Sequence, residues 1–377
     1  MIEVGRTRER FDGVRRIAVL RGGGLGDLLF AMPAIQALAA AYPAAELTLL
    51  GTPLHHALLD GRASPIDHVE VLPIAPGIRD APSGGADADA ESAEAFLERM
   101  RGRRFDLAVQ VHGGGRNSNP FLLGLGSRHT VGTRTPDAVE LERSMPYLYY
   151  QHEVLRALEV VGLAGAAPVV LEPRVLTTQS ERAAAAARVP AGPTGRVVIH
   201  PGATDPRRRW PAHRFAEVAA ALVETGARVA VIGDATDVET ADAIVAGVRE
   251  RGADASLVSN LAGALPLGVT AGLLAIADVV VANDSGPRHL AVAVGAPTVG
   301  IFWMGNALNA APFGRERHRI HLSWTTRCLV CGVDVTQVGW TAERCEHDDS
   351  FVDEVDTAAV LADVADLRAR SLLPRDR

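Results

Sequence analysis

The sequence predicts an α/β fold in which two doubly wound, Rossmann-like domains follow one another along the chain. Short apolar strand patterns alternate with amphipathic helical patterns in both halves, and the alternation weakens at 169–191 before it restarts. A chain of 377 residues is also too long for a single ordinary core. We therefore expect domains at 1–175 and 176–350, followed by a C-terminal helix within 351–377 that packs back across them.

The predicted strands and helices follow in order. Strands are expected at 16–20, 46–50, 69–72, 105–111, 196–200, 228–233, 277–283 and 298–302. Helices are expected at 27–41, 211–225, 285–294 and 351–373, and the Pro-, Gly- and Asp-rich stretch 73–90 is predicted to be a surface loop. Strands that alternate with helices form parallel sheets, whose ligands bind beyond the carboxyl ends of the strands.

The composition excludes several kinds of chemistry. A net charge of −7 gives no global attraction to nucleic acid or to an anionic membrane. All 38 basic residues are arginine, which excludes a Schiff-base lysine and a standard P-loop. Any phosphate must therefore be bound by arginine, by backbone N–H groups or by helix N-termini.

Cysteine usage and hydropathy predict a cytoplasmic protein. Three cysteines in a chain of this length do not form a disulfide framework. The charged N-terminus lacks the apolar core of a signal peptide, and no apolar run approaches the roughly 20 residues of a membrane-spanning helix.

The first motif, RGGGLGD, occupies residues 21–27 directly after the first strand. Gly24 and Gly26 allow a ligand to approach the backbone closely. A dinucleotide fingerprint is the competing interpretation, but it requires a third glycine where Asp27 stands, and an acid after the second strand, where Gly51 and Thr52 stand. Asp27 either caps the following helix or acts as a carboxylate base.

Two further motifs follow strands of the second half. Three arginines at 207–209 lie beside Thr204, either on a solvated face or in position to hold a diphosphate. In the motif NDSGPRHL at 283–290, the N–H groups of Ser285 and Gly286 would form an anion site at a helix N-terminus. The alternative is that Asp284 caps this helix and that His289 is a core histidine. Together the motifs suit an activated sugar whose leaving group is a nucleoside diphosphate.

The segments LRGGGLGDLLFAMPAIQALAAAYP, VIHPGATDPRRRWPAHRFAEVA, VIGDATDVETA and DVVVANDSGPRHLAVAVGAPTVGIF resemble, in order, the motifs of the heptosyltransferase family, glycosyltransferase family 9. The similarity spans residues 16–302, and the GLGD and DSGPxHLA elements are specific only in combination. It implies the GT-B fold, with two Rossmann-like domains facing each other across a cleft.

The resemblance also implies site residues and a reaction. Asp27 falls on the catalytic base of an inverting, direct transfer, and Gly24, Gly26 and His112 lie in the acceptor-side loops. The positions implied to bind the donor are Thr204, Arg208, Asp237, Asp284, Ser285, Gly286 and His289.

The implied donor is ADP-heptose, and the acceptor is a hydroxyl of a glycan, such as the lipopolysaccharide core, or of a small molecule. No metal or other cofactor is expected for catalysis, because Arg208 and a helix N-terminus supply positive charge and the Asp-x-Asp at 87–89 lies in the low-complexity loop. After Phe302 the sequence departs from the family pattern, which leaves the donor base and sugar open. A sugar-nucleotide epimerase and a non-catalytic nucleotide-sugar-binding protein are the alternatives.

The C-terminal part contains Cys328, Cys331, Cys345 and His347. This set could supply four tetrahedral ligands for a structural zinc ion. The alternative is that the cysteines are unpaired or packed thiols.

Overall fold

The computed structural model describes residues 4–81, 91–336 and 344–371. The chain divides into two compact units, Met1–Pro173 and Arg174–Arg377. No helix within the described ranges is both long enough and apolar enough to span a membrane.

In the described part of the first unit, six parallel strands form one sheet in the order β3-β2-β1-β4-β5-β6. The strands are β1 (Arg16–Leu20), β2 (Glu46–Gly51), β3 (His68–Val71), β4 (Leu107–Gln110), β5 (His129–Arg134) and β6 (Arg143–Pro146). The helices are α1 (Leu25–Ala41), α2 (Pro53–Leu59), α3 (Ala93–Gly102), α4 (Ser118–Leu123) and α5 (Glu153–Gly162).

The described part of the second unit contains a second parallel sheet of six strands in the order β12-β11-β10-β7-β8-β9. The strands are β7 (Arg196–His200), β8 (Arg228–Val231), β9 (Val258–Asn260), β10 (Val279–Asn283), β11 (Thr298–Trp303) and β12 (His318–Ser323). The helices are α6 (Gln179–Arg188), α7 (Ala212–Glu224), α8 (Val238–Glu250), α9 (Leu267–Ala275), α10 (Gly286–Ala293), α11 (Met304–Ala310) and α12 (Thr357–Ser371).

Both sheets have the doubly wound strand order of a Rossmann fold. In each unit the chain starts at a central strand, builds outward to one edge, and then returns to the other side of that strand. The topological switch point therefore lies between β1 and β4 in the first unit, and between β7 and β10 in the second. This is where ligands bind in open α/β sheets, and all three predicted motifs follow one of these four strands.

The predicted fold class is confirmed, and each of the eight predicted strands corresponds to an observed one. The strands β5, β6, β9 and β12 were not predicted, because HTVGTR, RSMP, VSN and HRIHLS mix polar with apolar residues. Half of the predicted loop at 73–90, the part that contains the Asp-x-Asp, lies outside the described residues.

The prediction of a helix from residue 351 is wrong, because α12 begins at Thr357. The Asp356 carboxylate accepts hydrogen bonds from the Ala358 and Ala359 N–H groups and so fixes the start of the helix. Val352 and Val355 instead form a turn whose side chains enter the core of the second unit. The helix α12 packs against α7 and β10 of the same unit.

The core of the second unit supports the end of the loop that carries the three arginines. Trp210 follows the three arginines in this loop. Its ring packs edge-to-face on Phe215 of α7, with 5.0 Å between ring centroids. Both side chains are buried within a cluster that also contains residues of β7, β8, β10, β11 and α12. The position of the loop therefore depends on core packing.

We predict that Phe215→Ala lowers the free energy of unfolding of the second unit by about 3–5 kcal/mol, through lost burial and the cavity left behind. All four tryptophans lie after residue 173, so tryptophan fluorescence during urea denaturation reports on this unit. The control is Leu308→Ala on α11, where the side chain is 55% exposed, and its change should stay within about 0.5 kcal/mol. Equal effects of the two changes would contradict this account of the core.

Candidate functional site

Asp27 occupies the third position of α1, where it contacts the glycine loop and one arginine. Its Oδ2 accepts a hydrogen bond at 2.8 Å from the N–H of Gly24, which is the N-cap residue of α1. Its Oδ1 lies 2.5 Å from Nη2 of the buried Arg21. Gly23 has a φ of +85°, and a Cβ at this position would collide with the Asp27 carboxylate. Asp27 therefore stabilises the helix start, although it is not the N-cap itself, and its side chain remains 46% exposed.

Two histidines, the buried His55 and the half-buried His112, hold the loops around Asp27. His112, which follows β4, accepts a hydrogen bond at Nδ1 from the Gly22 N–H (3.2 Å), so its Nε2–H donates to the Gly77 carbonyl (3.1 Å). His55 Nε2 lies 2.9 Å from the Gly24 carbonyl oxygen. Burial lowers the pKa of both histidines, which keeps them neutral near pH 7. The predicted acceptor-side His112 thus connects the β1 and β3 loops.

A shallow recess opens beside Arg21 at the carboxyl ends of β4 and β5. It is lined by Arg21, Phe30, Ala31, Val111, Gly113, Thr133, Glu153, Arg156, Ala157 and Val160. Glu153 lies 3.5 Å from Arg21 and also contacts Arg156. One guanidinium, that of Arg21, therefore joins the recess to the Asp27 carboxylate.

In the second unit, the buried Asp284 carboxylate is the centre of the predicted donor site. Its Oδ2 lies 3.3 Å from Arg208 Nη1, and its Oδ1 lies 3.1 Å from His289 Nε2. Burial alone would raise the pKa of Asp284, but the hydrogen bond from His289 and the Arg208 charge hold it below its ordinary value. Three of the predicted donor residues are thus brought together as one charged cluster.

The tautomer of His289 is set by a buried arginine. Arg288 Nη2 donates a hydrogen bond to His289 Nδ1 at 2.7 Å, so the Nε2–H of the neutral ring donates to Asp284. Arg288 is 1% exposed, its guanidinium lies over the Phe302 ring, and burial lowers its pKa to about 10. The sequence predicted either a core histidine or a functional one, and His289 is buried within the charged cluster.

The N-terminus of α10 lies beside this cluster. Its N-cap is Ser285, and no side chain within the described part of the chain caps it. The Ser285 hydroxyl lies 3.0 Å from His200 Nδ1, so it is held at the end of β7. Gly286 and Pro287 form the first turn, and the glycine leaves the helix end open to an anion.

The three consecutive arginines have separate roles. Arg207 is buried and pairs with Asp205, with 2.6 Å between Nη2 and Oδ2. Arg209 donates from Nε to the Ala203 carbonyl. Arg208, which is one quarter exposed, turns toward Asp284. Thr204 is exposed on the same loop.

Asp237 points into the second unit. It is packed against Gly202 and Gly233, accepts a hydrogen bond from the Asp234 N–H, and lies 3.6 Å from His200 Nε2. Burial alone would raise its pKa, but contact with His200 and the Asp234 N–H lowers it. Its carboxylate therefore joins the β7 and β8 loops, and its predicted role in donor binding stays a prediction.

The four C-terminal residues predicted as metal ligands converge. One potential ligand atom from each of Cys328, Cys331, Cys345 and His347 lies within 4.8 Å of the others. His347 Nδ1 is buried, and no hydrogen-bond partner for it is found among the described residues. The backbone N–H groups of Cys331 and Val330 face the Cys328 thiol and lower its pKa to about 6. This donor set fits a tetrahedral thiolate–imidazole centre.

Sequence reasoning missed several residues of these sites. His200, Asn283 and Arg288 lie inside the quoted motifs but had been given no role. Arg21 precedes the glycine loop, and its charge beside Asp27 in the motif RGGGLGD was an available signal. Glu153 and Arg156 lie on α5, far along the chain from that loop, and carried no signal.

The two Rossmann-like sheets, each with its candidate site at the switch point, define the GT-B class of fold. Residues 94–337 match glycosyltransferase family 9 (heptosyltransferase), which is more than half of the chain. The chain belongs to this family.

Comparisons with individual proteins agree with this family assignment. The chain is 32% identical over 123 residues to lipopolysaccharide heptosyltransferase 2 of Escherichia coli K12, a match that spans 32% of this chain and about a third (35%) of the relative. The structure of E. coli ADP-heptose LPS heptosyltransferase II superposes with a TM-score of 0.71 at 19% identity, covering 95% of this chain and 100% of that one. A family 9 glycosyl transferase from Veillonella parvula has a TM-score of 0.73 at 16% identity, covering 98% and 99%. These similarities establish the fold.

We predict that Asp284→Ala lowers the free energy of unfolding of the second unit by about 3–5 kcal/mol at pH 7, because it leaves Arg208 and Arg288 without their buried partner charge. Since the folded pKa of Asp284 is lowered, its stabilisation is present above about pH 4 and is lost as the pH falls through the folded value. The deficit of the variant should therefore shrink in acid.

Tryptophan fluorescence in urea, repeated between pH 7 and pH 2.5, measures both effects. The matched control is Glu217→Gln, an exposed acid on α7. A deficit that stays constant over this pH range would show that the Asp284 charge is not the cause.

Proposed function

We propose that the protein is an inverting glycosyltransferase that transfers a heptose-like sugar from ADP-heptose to a hydroxyl of a glycan or small molecule. The observation that carries this proposal is the charged cluster of Arg208, Asp284 and His289 beside the uncapped N-terminus of α10, in a chain of family 9. The similar E. coli structure is that of an ADP-heptose LPS heptosyltransferase, which supports the choice of nucleotide.

The donor diphosphate binds at the N-terminus of α10. There the Ser285 and Gly286 N–H groups and the Arg208 guanidinium donate to its oxygens. These donors are held in place before the substrate arrives, because Asp284 orients Arg208 and His200 orients Ser285. They stabilise the negative charge that develops on the departing ADP, so the second unit supplies electrostatic catalysis. In this mechanism the leaving group is neutralised by arginine and helix N–H groups without a catalytic metal.

Asp27 is the proposed general base. Each of its carboxylate oxygens already accepts one hydrogen bond and retains a lone pair for the acceptor hydroxyl. The hydroxyl oxygen attacks the anomeric carbon as its proton passes to Asp27, and the bond from that carbon to the ADP oxygen breaks. Attack opposite to the leaving group inverts the anomeric centre.

The acceptor enters through the recess beside Arg21. Phe30 and Val160 provide apolar contact, while Arg21, Glu153 and Arg156 provide charged groups. This mixture suits a polyhydroxylated acceptor, which presents both apolar C–H faces and hydroxyl groups. The three reduced cysteines agree with a cytoplasmic site of action, where nucleotide sugar and acceptor would meet.

Asp27→Asn is expected to lower the turnover number by about 10²–10⁴-fold, because asparagine accepts no proton, while the dissociation constant of ADP stays unchanged. The measurement is ADP release from ADP-heptose with a panel of lipopolysaccharide core oligosaccharides as acceptors. Asparagine retains an oxygen for the Gly24 N–H, so the helix cap survives the change.

Glu181→Gln is the matched control, since Glu181 is the same capping-box acid on α6, away from both switch points. It should leave turnover unchanged. Turnover of Asp27→Asn at the wild-type rate would rule out Asp27 as the base.

Arg208→Ala is expected to weaken ADP binding by about 1.5–3 kcal/mol, that is, by a factor of ten or more, through loss of a charged hydrogen bond to phosphate. Isothermal titration with ADP, UDP, GDP and NAD measures both the loss and the base preference. Arg249→Ala, an exposed arginine on α8, is the control and should not change affinity. Preference for UDP or GDP would contradict the ADP-heptose assignment.

A further inference from the structure

We propose that Arg288 is a positioning residue of the donor site, which strengthens diphosphate binding through His289 and Asp284 without touching the donor. This inference rests on the proposed function, because it gives Arg288 a part in donor binding. Arg288 is almost completely buried, so it lies behind the surface that a donor can reach. Its effect must therefore pass through its neighbours.

Four side chains form a continuous row that runs from the core of the second unit toward the surface. Arg288 Nη2 donates to His289 Nδ1 at 2.7 Å, and His289 Nε2 donates to Asp284 Oδ1 at 3.1 Å. Asp284 Oδ2 in turn lies 3.3 Å from Arg208 Nη1. The Arg208 side chain is about one quarter exposed, so this end of the row is the one that a ligand can reach.

The row has one positive charge in excess, because both arginines are cationic, Asp284 is anionic and the His289 ring is neutral. Burial lowers the pKa of Arg288 to about 10 and the Asp284 charge raises it, so the guanidinium stays charged near pH 7. Without Arg288, the Asp284 carboxylate would balance Arg208 and leave no net positive charge for a diphosphate. The carboxylate would also repel the phosphate oxygens.

Arg288 also fixes the direction in which His289 donates. A neutral imidazole has one N–H group, which can lie on either nitrogen. Because Arg288 donates to Nδ1, the proton is on Nε2 and points to Asp284. In the other tautomer two acceptor atoms would face each other, and Asp284 would lose this hydrogen bond. Asp284 would then hold Arg208 more strongly, in competition with the donor.

The surroundings of Arg288 fit this side chain, yet its burial is costly. The guanidinium lies 4.7 Å from the centroid of the Phe302 ring, and Nη2 also donates to the Ala310 carbonyl at 3.1 Å. A Cβ at Gly300 would lie 3.1 Å from Arg288 Cδ, so the glycine leaves room for the stem. No hydrogen-bond partner for Nε or Nη1 is found among the described residues. Such a group is unfavourable for folding, and exceptions of this kind occur at functional sites.

The first test compares Arg288→Met with Arg288→Lys by isothermal titration with ADP. Methionine keeps an unbranched stem but carries neither charge nor donor, so we expect ADP affinity to fall by roughly tenfold. Lysine restores a charged donor and should recover most of that loss. The matched control is Arg196→Met, a half-buried arginine at the amino end of β7 that donates to the Ile276 carbonyl, and it should bind ADP as the wild type does. An equal loss in the methionine and lysine variants would overturn the role of the charge.

Urea denaturation followed by tryptophan fluorescence separates donor binding from stability. Arg288→Met should keep a urea midpoint close to that of the wild type, because Asp284 retains Arg208 and His289 as partners and a costly buried charge is removed. A much lower midpoint with unchanged ADP affinity under native conditions would make Arg288 a structural residue only.

Nitrogen NMR of protein labelled in its histidine rings measures the tautomer. In the wild type, the His289 signals should be those of an unprotonated Nδ1 and a protonated Nε2, and His289→Gln identifies them by their loss. The Nδ1 signal should shift in Arg288→Met, because its hydrogen bond is removed. A protonated Nδ1 in the wild type would contradict the row of hydrogen bonds.

Failure of this inference can be told from failure of the proposed function. If the wild type and Arg288→Met bound ADP equally well, Arg288 would have no part in the donor site, while the proposed function would stand. If the wild type bound no nucleotide, the proposed function would fall and the donor role of Arg288 with it. The NMR signals would then still decide whether Arg288 sets the tautomer of His289.

Discussion

Asn283, at the end of β10, holds together the two loops that form the candidate donor site. Its side chain is fully buried, and both polar atoms have partners: Nδ2 donates to the Pro201 carbonyl at 2.6 Å, and Oδ1 accepts from the Trp210 N–H at 3.1 Å. These partners lie near the two ends of the arginine loop. A buried amide is tolerated only when its hydrogen bonds are made, so the position of the loop and the burial of Asn283 depend on each other. The placement of Arg208 relative to α10 follows from this one side chain.

The absence of lysine shapes the electrostatics around this loop. Arginine is a planar fork of five donors that stays charged, so each guanidinium needs partners in fixed directions. Arg207 is occupied by Asp205, and Arg209 by a carbonyl oxygen. Arg208 is directed to the carboxylate of Asp284 and is the proposed diphosphate ligand. Three identical residues in sequence thus have three different roles, because each meets a different acceptor.

Much of this arrangement could be predicted from the sequence. Alternating strand and helix patterns, with motifs after β1, β7 and β10, were enough for the fold and for the positions of Asp27, Arg208 and Asp284. The hydrogen bonds and ion pairs between neighbouring side chains could not be predicted, because they depend on the directions in which the side chains point. Asp237, in the segment VIGDATDVETA, packs against two glycines and lies near His200, and the sequence alone did not indicate these contacts.

Residues far apart in sequence were the other limit. Glu153 reaches Arg21 from a helix that follows it by more than a hundred residues, and no local pattern marks this contact. The edge strands β6 and β9 are short and partly polar, so they are defined by their neighbours in the sheet and carry little periodic signal of their own. Hydrophobic periodicity describes the core of each unit, whereas edges and charged clusters are settled by tertiary contacts.

The proposed role of Asp27 as the general base would couple the chemistry to the local stability of α1. Its negative charge complements the positive end of the helix dipole, pairs with Arg21 and accepts the Gly24 N–H. A proton taken from an acceptor hydroxyl would cancel that charge and weaken all three interactions at once.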